Sequence, residues 1–181
     1  NNGRIVGQAR TTSGDNTRAC MWYQGQVTNL GTLGGESWAK GVNDLGQITG
    51  TAINSYGYPQ AFLWENGVMR AIGQYETWGE HINNRSEIVG WYMNGVGRHR
   101  GFVWHDGVAR PLATWSNAST EDDGFSDIND LGQVVGYSHY RAAIWQPDGT
   151  MTAVGTLGGT ISAASGINNK GQVTGMSTTS T

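Results

Sequence analysis

An all-β repeat fold is predicted by three features of this 181-residue chain: a recurring motif, a phased tryptophan strand and abundant glycine. One copy of the motif spans Ile128–Gly136, and others span Val42–Gly50, Ile82–Gly90 and Ile167–Gly175. The chain opens inside a further copy that ends at Gly7. The last glycine of the motif recurs about every 42 residues, a period typical of stacked supersecondary units.

A tryptophan keeps the same spacing as the motif. It ends a short apolar run in each of four units, at Trp22, Trp64, Trp104 and Trp145. Two motifs in phase over four units indicate a true structural repeat. Because a large ring between neighbouring sheets buries much apolar area, we expect these four side chains to be core residues.

Turn chemistry divides each unit into four antiparallel strands, here named a, b, c and d. The Asn-Asp-x-Gly part of the motif joins a to b, because an Asx side chain bonds to nearby backbone and glycine tolerates a positive φ. A tight turn also joins strand c to strand d, because Asn-Gly and Asp-Gly are strong hairpin signals. They occur after the tryptophan strand at Asn66–Gly67, Asp106–Gly107 and Asp148–Gly149, with Gln24–Gly25 in the first unit.

Four-stranded units of about 42 residues, repeated radially, are typical of β-propeller blades. The four tryptophan strands therefore predict a single domain with a four-bladed β-propeller-like fold. The units are approximately 1–41, 42–81, 82–127 and 128–166, with a partial fifth unit at 167–181. A β-trefoil, which would show three units, and a β-solenoid, which would show shorter ones, are the alternatives.

Three runs carry a family resemblance: Leu30–Gly35, Ala61–Met69 and Gly166–Gly175. They resemble the bacterial HAF-type extracellular repeat family, and the resemblance covers essentially the whole chain. It implies a secreted or cell-surface bacterial protein and supplies no catalytic residues. The third copy of the motif departs most from the pattern, since Ser86–Glu87 replaces Gly-Gln.

Composition argues against several functional classes. A formal charge of -3 and a pI near 5.7 give no basic surface for nucleic acid or acidic membranes. No apolar run is long enough to span a membrane. Cys20 is the single cysteine, so no internal disulfide can form, and its place in a tryptophan strand predicts a buried thiol.

Some aromatic residues break the repeat pattern, and exposed loop aromatics commonly stack on sugars or partner proteins. We predict that they bind a glycan or a protein partner. The alternative is that they fill the central channel or pack within loops. These residues are Trp38, Trp78, Trp91, Trp115 and Phe125.

Three arginines occupy one repeat position, four residues before the phased tryptophan: Arg18, Arg100 and Arg141, with Gln60 in the remaining unit. Because guanidinium matches a carboxylate or phosphate in a planar fork, they are candidate anion ligands. The alternative is that each pairs with a carboxylate or carbonyl between neighbouring blades.

Asp122, Asp123 and Asp127 form an acidic cluster whose oxygen atoms could bind Ca²⁺. The EF-hand spacing is missing, and a solvated loop is the alternative. No other cofactor is predicted. No nucleophile–base arrangement occurs in the sequence, so we expect a non-enzymatic protein, with a carbohydrate-active enzyme as a distant alternative.

The ends of the chain contain one surplus strand, since strand b occurs five times and the other strands four times. The C-terminal a-strand can complete the first blade and close the ring, or the partial fifth unit can extend it. The surplus b-strand would then lie at an edge and could pair with a second copy. Its candidates are Arg4, Ile5 and Val6 at one end and Gln172, Val173 and Thr174 at the other.

Two functions follow from these features. The first is an extracellular recognition module that binds a glycan or protein partner through its loop aromatics. The second is a structural subunit that assembles with copies of itself into a filament or surface layer.

Overall fold

The computed structural model describes residues 2–10, 16–115 and 122–180. These residues form strands and turns without an α-helix, so none of them forms a membrane-spanning helix. The strands are β1 (Ile5–Arg10), β2 (Thr17–Tyr23), β3 (Gln26–Asn29), β4 (Gly34–Val42), β5 (Ile48–Asn54), β6 (Pro59–Glu65), β7 (Val68–Ala71), β8 (Thr77–Ile82), β9 (Ile88–Met93), β10 (His99–His105), β11 (Val108–Pro111), β12 (Gly124–Ile128), β13 (Val134–Ser138), β14 (Arg141–Trp145), β15 (Met151–Ala153), β16 (Gly158–Ile167) and β17 (Val173–Thr179).

The strands form small antiparallel sheets whose spatial order follows the chain. Three sheets have all four strands: β4–β7, β8–β11 and β12–β15. A three-stranded sheet, β1–β3, precedes them, and a two-stranded sheet, β16–β17, follows them. The all-β prediction and the four antiparallel strands of a complete unit are therefore confirmed.

The predicted closure of the ring is not found among the described residues. Strand β16 pairs with β17, whereas the strand paired with β1 is β2. The C-terminal a-strand therefore does not complete the first sheet, because its pairing edge is already occupied by β17. With three complete sheets, the predicted count of four blades is not confirmed.

The turns have the predicted chemistry. Gln24, Asn66 and Asp106 have φ values of 50°, 51° and 47°, and the glycine after each is also positive. This is the two-residue turn that fits the twist of a hairpin. In the third copy of the motif, Ser86 adopts a φ of 62° and so takes the place of the missing glycine.

The Asn-Asx pair of the motif also joins neighbouring sheets through what we call the Asx ladder: Asn43–Asp44, Asn83–Asn84, Asn129–Asp130 and Asn168–Asn169. In the first three pairs, the first residue donates from Nδ2 to the carbonyl of its counterpart in the next sheet, at 3.0, 2.8 and 3.0 Å. The second donates its backbone N–H to the next counterpart's Oδ1, at 2.8 Å in all three cases. The sequence pattern predicts a role for this pair in the turn alone.

A second polar contact joins the sheets near the opposite end of strand a. A hydroxyl six residues before the ladder asparagine accepts the backbone N–H of strand c in the preceding sheet. These hydroxyl bonds run from Ala19 to Ser37, from Ala61 to Thr77 and from Ala142 to Ser162, at 2.9, 3.0 and 2.9 Å. Three of the four interfaces between sheets have this contact.

Apolar side chains fill the layers between sheets. Of the phased tryptophans, Trp104 and Trp145 are buried as predicted, while Trp22 and Trp64 are half-buried. Fully burying such a side chain contributes about 1.5–3 kcal/mol. Cys20 is buried in β2 as expected, and this burial raises the pKa of its thiol.

The last glycine of the motif is required by a close approach of strand a. A Cβ atom at Gly50, Gly90, Gly136 or Gly175 would lie 1.9–2.2 Å from a carbonyl oxygen of that strand. Opposite each glycine, the register of strand a shifts by a residue, as between Phe125 and Asp127. Gly7 occupies the same motif position in β1, but no strand a pairs with β1. A Cβ atom at Gly7 would have the Trp22 ring as its nearest neighbour, at 3.4 Å.

This difference yields a stability prediction. We expect Gly136→Ala to lower the free energy of unfolding by about 3 kcal/mol, because the backbone of β12 must move away from the new methyl group. The matched variant Gly7→Ala should change it by less than about 1 kcal/mol, because the added methyl would make only an ordinary van der Waals contact with the Trp22 ring. Urea denaturation measures both, and equal effects would contradict the close-approach account.

Candidate ligand-binding face

The antiparallel order of each sheet places its connections at two opposite ends. The a–b and c–d turns lie at one end, and the b–c and d–a loops lie at the other, which we call the loop face. All five exposed aromatic side chains belong to loop-face connections: Tyr56, Tyr58, Tyr75, Trp115 and Tyr140. Exposed aliphatic side chains also occur at the opposite end, for example Leu45 and Leu131.

Three of these aromatics form a cluster, here called the tyrosine cluster. Tyr58 stacks on Tyr75 with ring centroids 5.5 Å apart and planes inclined by 18°, and Tyr56 lies 6.1 Å from Tyr75. Tyr56 is 73 % exposed, so much of its ring is available for contact. The cluster is therefore an apolar surface with hydroxyl groups at its edge.

Backbone bonds hold the loops of the tyrosine cluster in place. The Asn54 side-chain oxygen accepts the N–H groups of Tyr56 and Tyr58 at 2.9 and 3.1 Å. The Glu76 N–H donates to the Pro59 carbonyl at 2.8 Å and so ties the two loops together. Loops fixed in this way lose little conformational entropy on binding a ligand.

A cleft of about 380 Å³ adjoins the tyrosine cluster between the second and third sheets. Tyr75 belongs to both the cluster and the cleft wall. The other walls include Gln74, Tyr92, Met93, Phe102 and Pro111. The arrangement offers an aromatic platform beside a mostly apolar recess, which suits a ligand with apolar and polar faces.

A second cleft, here called the Trp115 cleft, measures about 410 Å³ and is lined by Trp115, His139, Arg141 and Ala153. Trp115 is 39 % exposed, and the Arg141 side chain is also open to solvent. The cleft lies where the third and fourth sheets meet, because Trp115 follows β11 and the other residues belong to the sheet of β12–β15. It is thus bounded by a flat ring and a cationic group.

The interface behind the Trp115 cleft departs from the repeat. Where three interfaces place a hydroxyl of Ser37, Thr77 or Ser162, this one places Asp123, which is 3 % exposed. Its Oδ2 lies 3.5 Å from Nη1 of Arg100, which is also buried. Burial raises the pKa of Asp123, although Ser138, Arg100, His139 and Thr114 each act in the opposite direction.

Unsatisfied polar atoms gather at the same place. Among the described residues, four buried side-chain atoms make no hydrogen bond of good geometry. All four belong to Asp123 or to residues that act on the pKa of its carboxyl, and the Ser138 and Thr114 hydroxyls lie near that carboxyl. Such atoms are uncommon in folded proteins, and each costs about 1–3 kcal/mol. They are Thr114 Oγ1, Asp123 Oδ1, Ser138 Oγ and His139 Nδ1. We call this set, together with Arg100, the buried polar cluster.

The turn beside this cluster has an unusual backbone. His139 and Tyr140 connect β13 to β14 and have φ values of 50° and 60°. Both lie in the left-handed region, which is costly for residues with a side chain and is often found at functional sites. The b–c loops of the second and third sheets are longer and use glycine at positive φ, at Gly57 and Gly97.

The other aromatics predicted to bind a ligand occupy different surroundings. Trp78 and Trp91 stack on each other with centroids 3.9 Å apart, and Trp91 also contacts His99 at 4.1 Å. Trp38 is half-buried in β4. The prediction that Phe125 binds a ligand is wrong. Its ring is buried against Trp145 and over Gly101, so it belongs to the core and not to a ligand surface.

The three arginines that share a repeat position have three different environments. Arg18 donates to the Thr17 carbonyl at 3.0 Å. Arg100 faces Asp123, as the alternative of pairing with a carboxylate between blades predicted. Arg141 lines the Trp115 cleft, and its side chain makes no hydrogen bond or ion pair with the part of the chain that the structure describes.

The acidic residues proposed for Ca²⁺ have separate partners. Asp122 accepts the His99 N–H at 2.9 Å, Asp123 faces Arg100, and Asp127 accepts the Ile167 N–H at 3.0 Å. Within the described ranges, no group of three or more His, Cys, Asp or Glu side chains could hold a metal ion. The structure does not bring these three carboxylates together.

The residues predicted for assembly lie at the two terminal sheets. Ile5 and Val6 are in β1, and Val173 and Thr174 are in β17; each of these strands has one partner, so one edge is unpaired among the described residues. Arg4 lies over the Tyr23 ring, and Gln172 bonds with Asn168 within its own turn.

Comparisons with known proteins support the fold. No family model and no curated protein matches the chain. TolB from Acinetobacter baumannii matches with a TM-score of 0.58 and 12% identity over 84% of this chain and 40% of that one. The gluconolactonase XC5397 from Xanthomonas campestris matches with a TM-score of 0.51 and 14% identity over 93% and 68%. Both are propeller-type proteins, and at these identities the likeness concerns the fold alone.

Proposed function

We propose that this protein is an extracellular, non-enzymatic recognition module that binds a glycan through the tyrosine cluster. The main support is that every exposed aromatic side chain lies in a loop-face connection. Random scatter of surface aromatics would place some at the opposite end, where exposed aliphatic residues do occur.

The chemistry of the tyrosine cluster favours a glycan over an apolar ligand. Sugar rings have an apolar face that packs on aromatic rings and hydroxyl groups that bond at the ring edge. The stacked pair Tyr58 and Tyr75 supplies the ring surface, and Gln74 supplies an amide in the adjoining cleft. Because their loops are held by backbone bonds, the rings are positioned before a ligand arrives.

A glycan-array screen tests this proposal. We expect Tyr75→Ala to weaken binding at least tenfold, because truncation of a central aromatic anchor costs about 2 kcal/mol or more. Leu131→Ala is the matched control, since Leu131 is equally exposed but lies in an a–b turn at the opposite end. Binding that survives Tyr75→Ala, or capture of a protein partner without any glycan, would contradict the proposal.

We infer self-association as a second candidate function, favoured by a specific feature of β1. In the other copies of the motif, the glycine at the position of Gly7 makes room for the carbonyl of a paired a-strand. Strand β1 has the same glycine with that space open, and its edge is unpaired among the described residues. Strand β16 of a second copy could pair there by releasing its own β17, and head-to-tail exchange of this kind can form a filament.

Mass in solution, measured by light scattering over a concentration series, tests this second candidate. Self-association should raise the mass with concentration. Gly7→Ala should reduce it, because a methyl group would obstruct the incoming strand while leaving the free chain folded. A parent protein that stays monomeric at high concentration would rule this candidate out, as would a Gly7→Ala variant that associates equally well.

A further inference from the structure

The buried polar cluster does not fit a purely structural role. At the preceding interface, Gln60 and Thr77 occupy the positions of Arg100 and Asp123, and the Thr77 hydroxyl both accepts the Ala61 N–H and donates to the Gln74 carbonyl at 2.8 Å. That arrangement satisfies its polar atoms without burying a charge. Replacing it with a buried Arg–Asp pair that leaves Asp123 Oδ1 unsatisfied lowers stability.

The unsatisfied atoms have the chemistry of a hydroxyl-binding site. The oxygen Asp123 Oδ1 accepts hydrogen bonds, and the Ser138 and Thr114 hydroxyls can both donate and accept. A ligand hydroxyl also donates and accepts, so one or two such groups could pair with this set. An apolar ligand does not match this set, because it would leave the polar atoms unpaired. A simple cation does not match it either, because Arg100 already faces the same carboxylate.

The adjoining cleft supplies the remaining contacts of a sugar. The Trp115 ring offers an exposed surface for the apolar face of a pyranose, and Arg141 can donate to ring hydroxyls. His139 lines the cleft, and its Nδ1 atom belongs to the buried polar cluster. It therefore lies between the cleft and the cluster.

We propose that the Trp115 cleft and the buried polar cluster together form a binding site for a single neutral sugar unit. The sugar stacks on Trp115, and its hydroxyls pair with Asp123, Ser138 and Thr114. This inference rests on the proposed role in glycan recognition and assigns it a second site, separate from the tyrosine cluster.

The cluster atoms are closed off from solvent, so the sugar reaches them when the His139 side chain turns outward. Two features lower the cost of this movement. The unmade hydrogen bonds destabilise the closed arrangement. The left-handed backbone of His139 and Tyr140 adds strain to the turn that holds it.

Saturation-transfer NMR tests the site, with glucose, galactose and mannose as neutral probes and glucuronate and galacturonate as charged ones. We expect at least one neutral sugar to bind the parent protein and the Leu131→Ala control. Trp115→Ala and the double variant Arg100→Gln/Asp123→Thr should each weaken that binding about tenfold or more. The double variant copies the residues of the preceding interface, so its midpoint of thermal unfolding should be unchanged or higher.

Several results would overturn this inference. They are the failure of every neutral sugar to bind, binding of the uronates alone, and binding that persists in Trp115→Ala. A cluster that merely holds a structural water would leave sugar binding intact in the double variant, which also overturns it.

The two proposed sites can fail separately. A sugar signal lost in Tyr75→Ala and kept in Trp115→Ala would reject the Trp115 cleft and retain the proposed function. Loss of the sugar signal in Trp115→Ala, together with glycan-array binding that is unchanged in Tyr75→Ala, would support the Trp115 cleft and reject the tyrosine cluster.

Discussion

The Asx ladder is the interaction on which the arrangement of the sheets depends. Each rung carries a side-chain amide and a backbone N–H across to the next sheet, with donor–acceptor distances of 2.8–3.0 Å. The asparagines Asn43, Asn83 and Asn129 are buried, so losing a rung would leave polar groups unsatisfied in the interior. Apolar packing alone has little directional preference, whereas these bonds fix the position of each sheet relative to the next.

With the ladder fixing one end of each interface from the second sheet onward, the other end can vary. Three interfaces have a hydroxyl bond there, and the fourth has Asp123 with its unsatisfied neighbours. The protein can tolerate this costly substitution because the Asx ladder and the apolar layer still join the third and fourth sheets. The loop face can therefore acquire binding groups without loss of the overall fold, as is common in repeat proteins.

The local structure was predictable from the sequence, and the contacts between units were less so. Turn chemistry identified the hairpins, because Asn-Gly and Asp-Gly specify a backbone conformation within a few residues. The ladder was missed because its bonds join residues 39–46 positions apart, and one unit alone shows a complete turn. Trp115 was identified from its departure from the repeat, and Arg141 from the repeat position that it shares with Arg18 and Arg100. Ser138 and His139 were not, and Asp123 was assigned to calcium, although its alignment with Ser37, Thr77 and Ser162 was a usable signal.

The stability of Asn83→Ala relative to Asn94→Ala tests the role of the Asx ladder most directly. Both side-chain oxygens accept two backbone N–H groups of their own turn. Asn83 also donates to Glu87 Oε2 of its own turn and to the Asn129 carbonyl of the next sheet. We expect Asn83→Ala to lower the free energy of unfolding by about 2 kcal/mol more than Asn94→Ala, because a buried carbonyl loses its partner. Equal losses would show that the motif acts only as a turn and would contradict the ladder as the link between sheets.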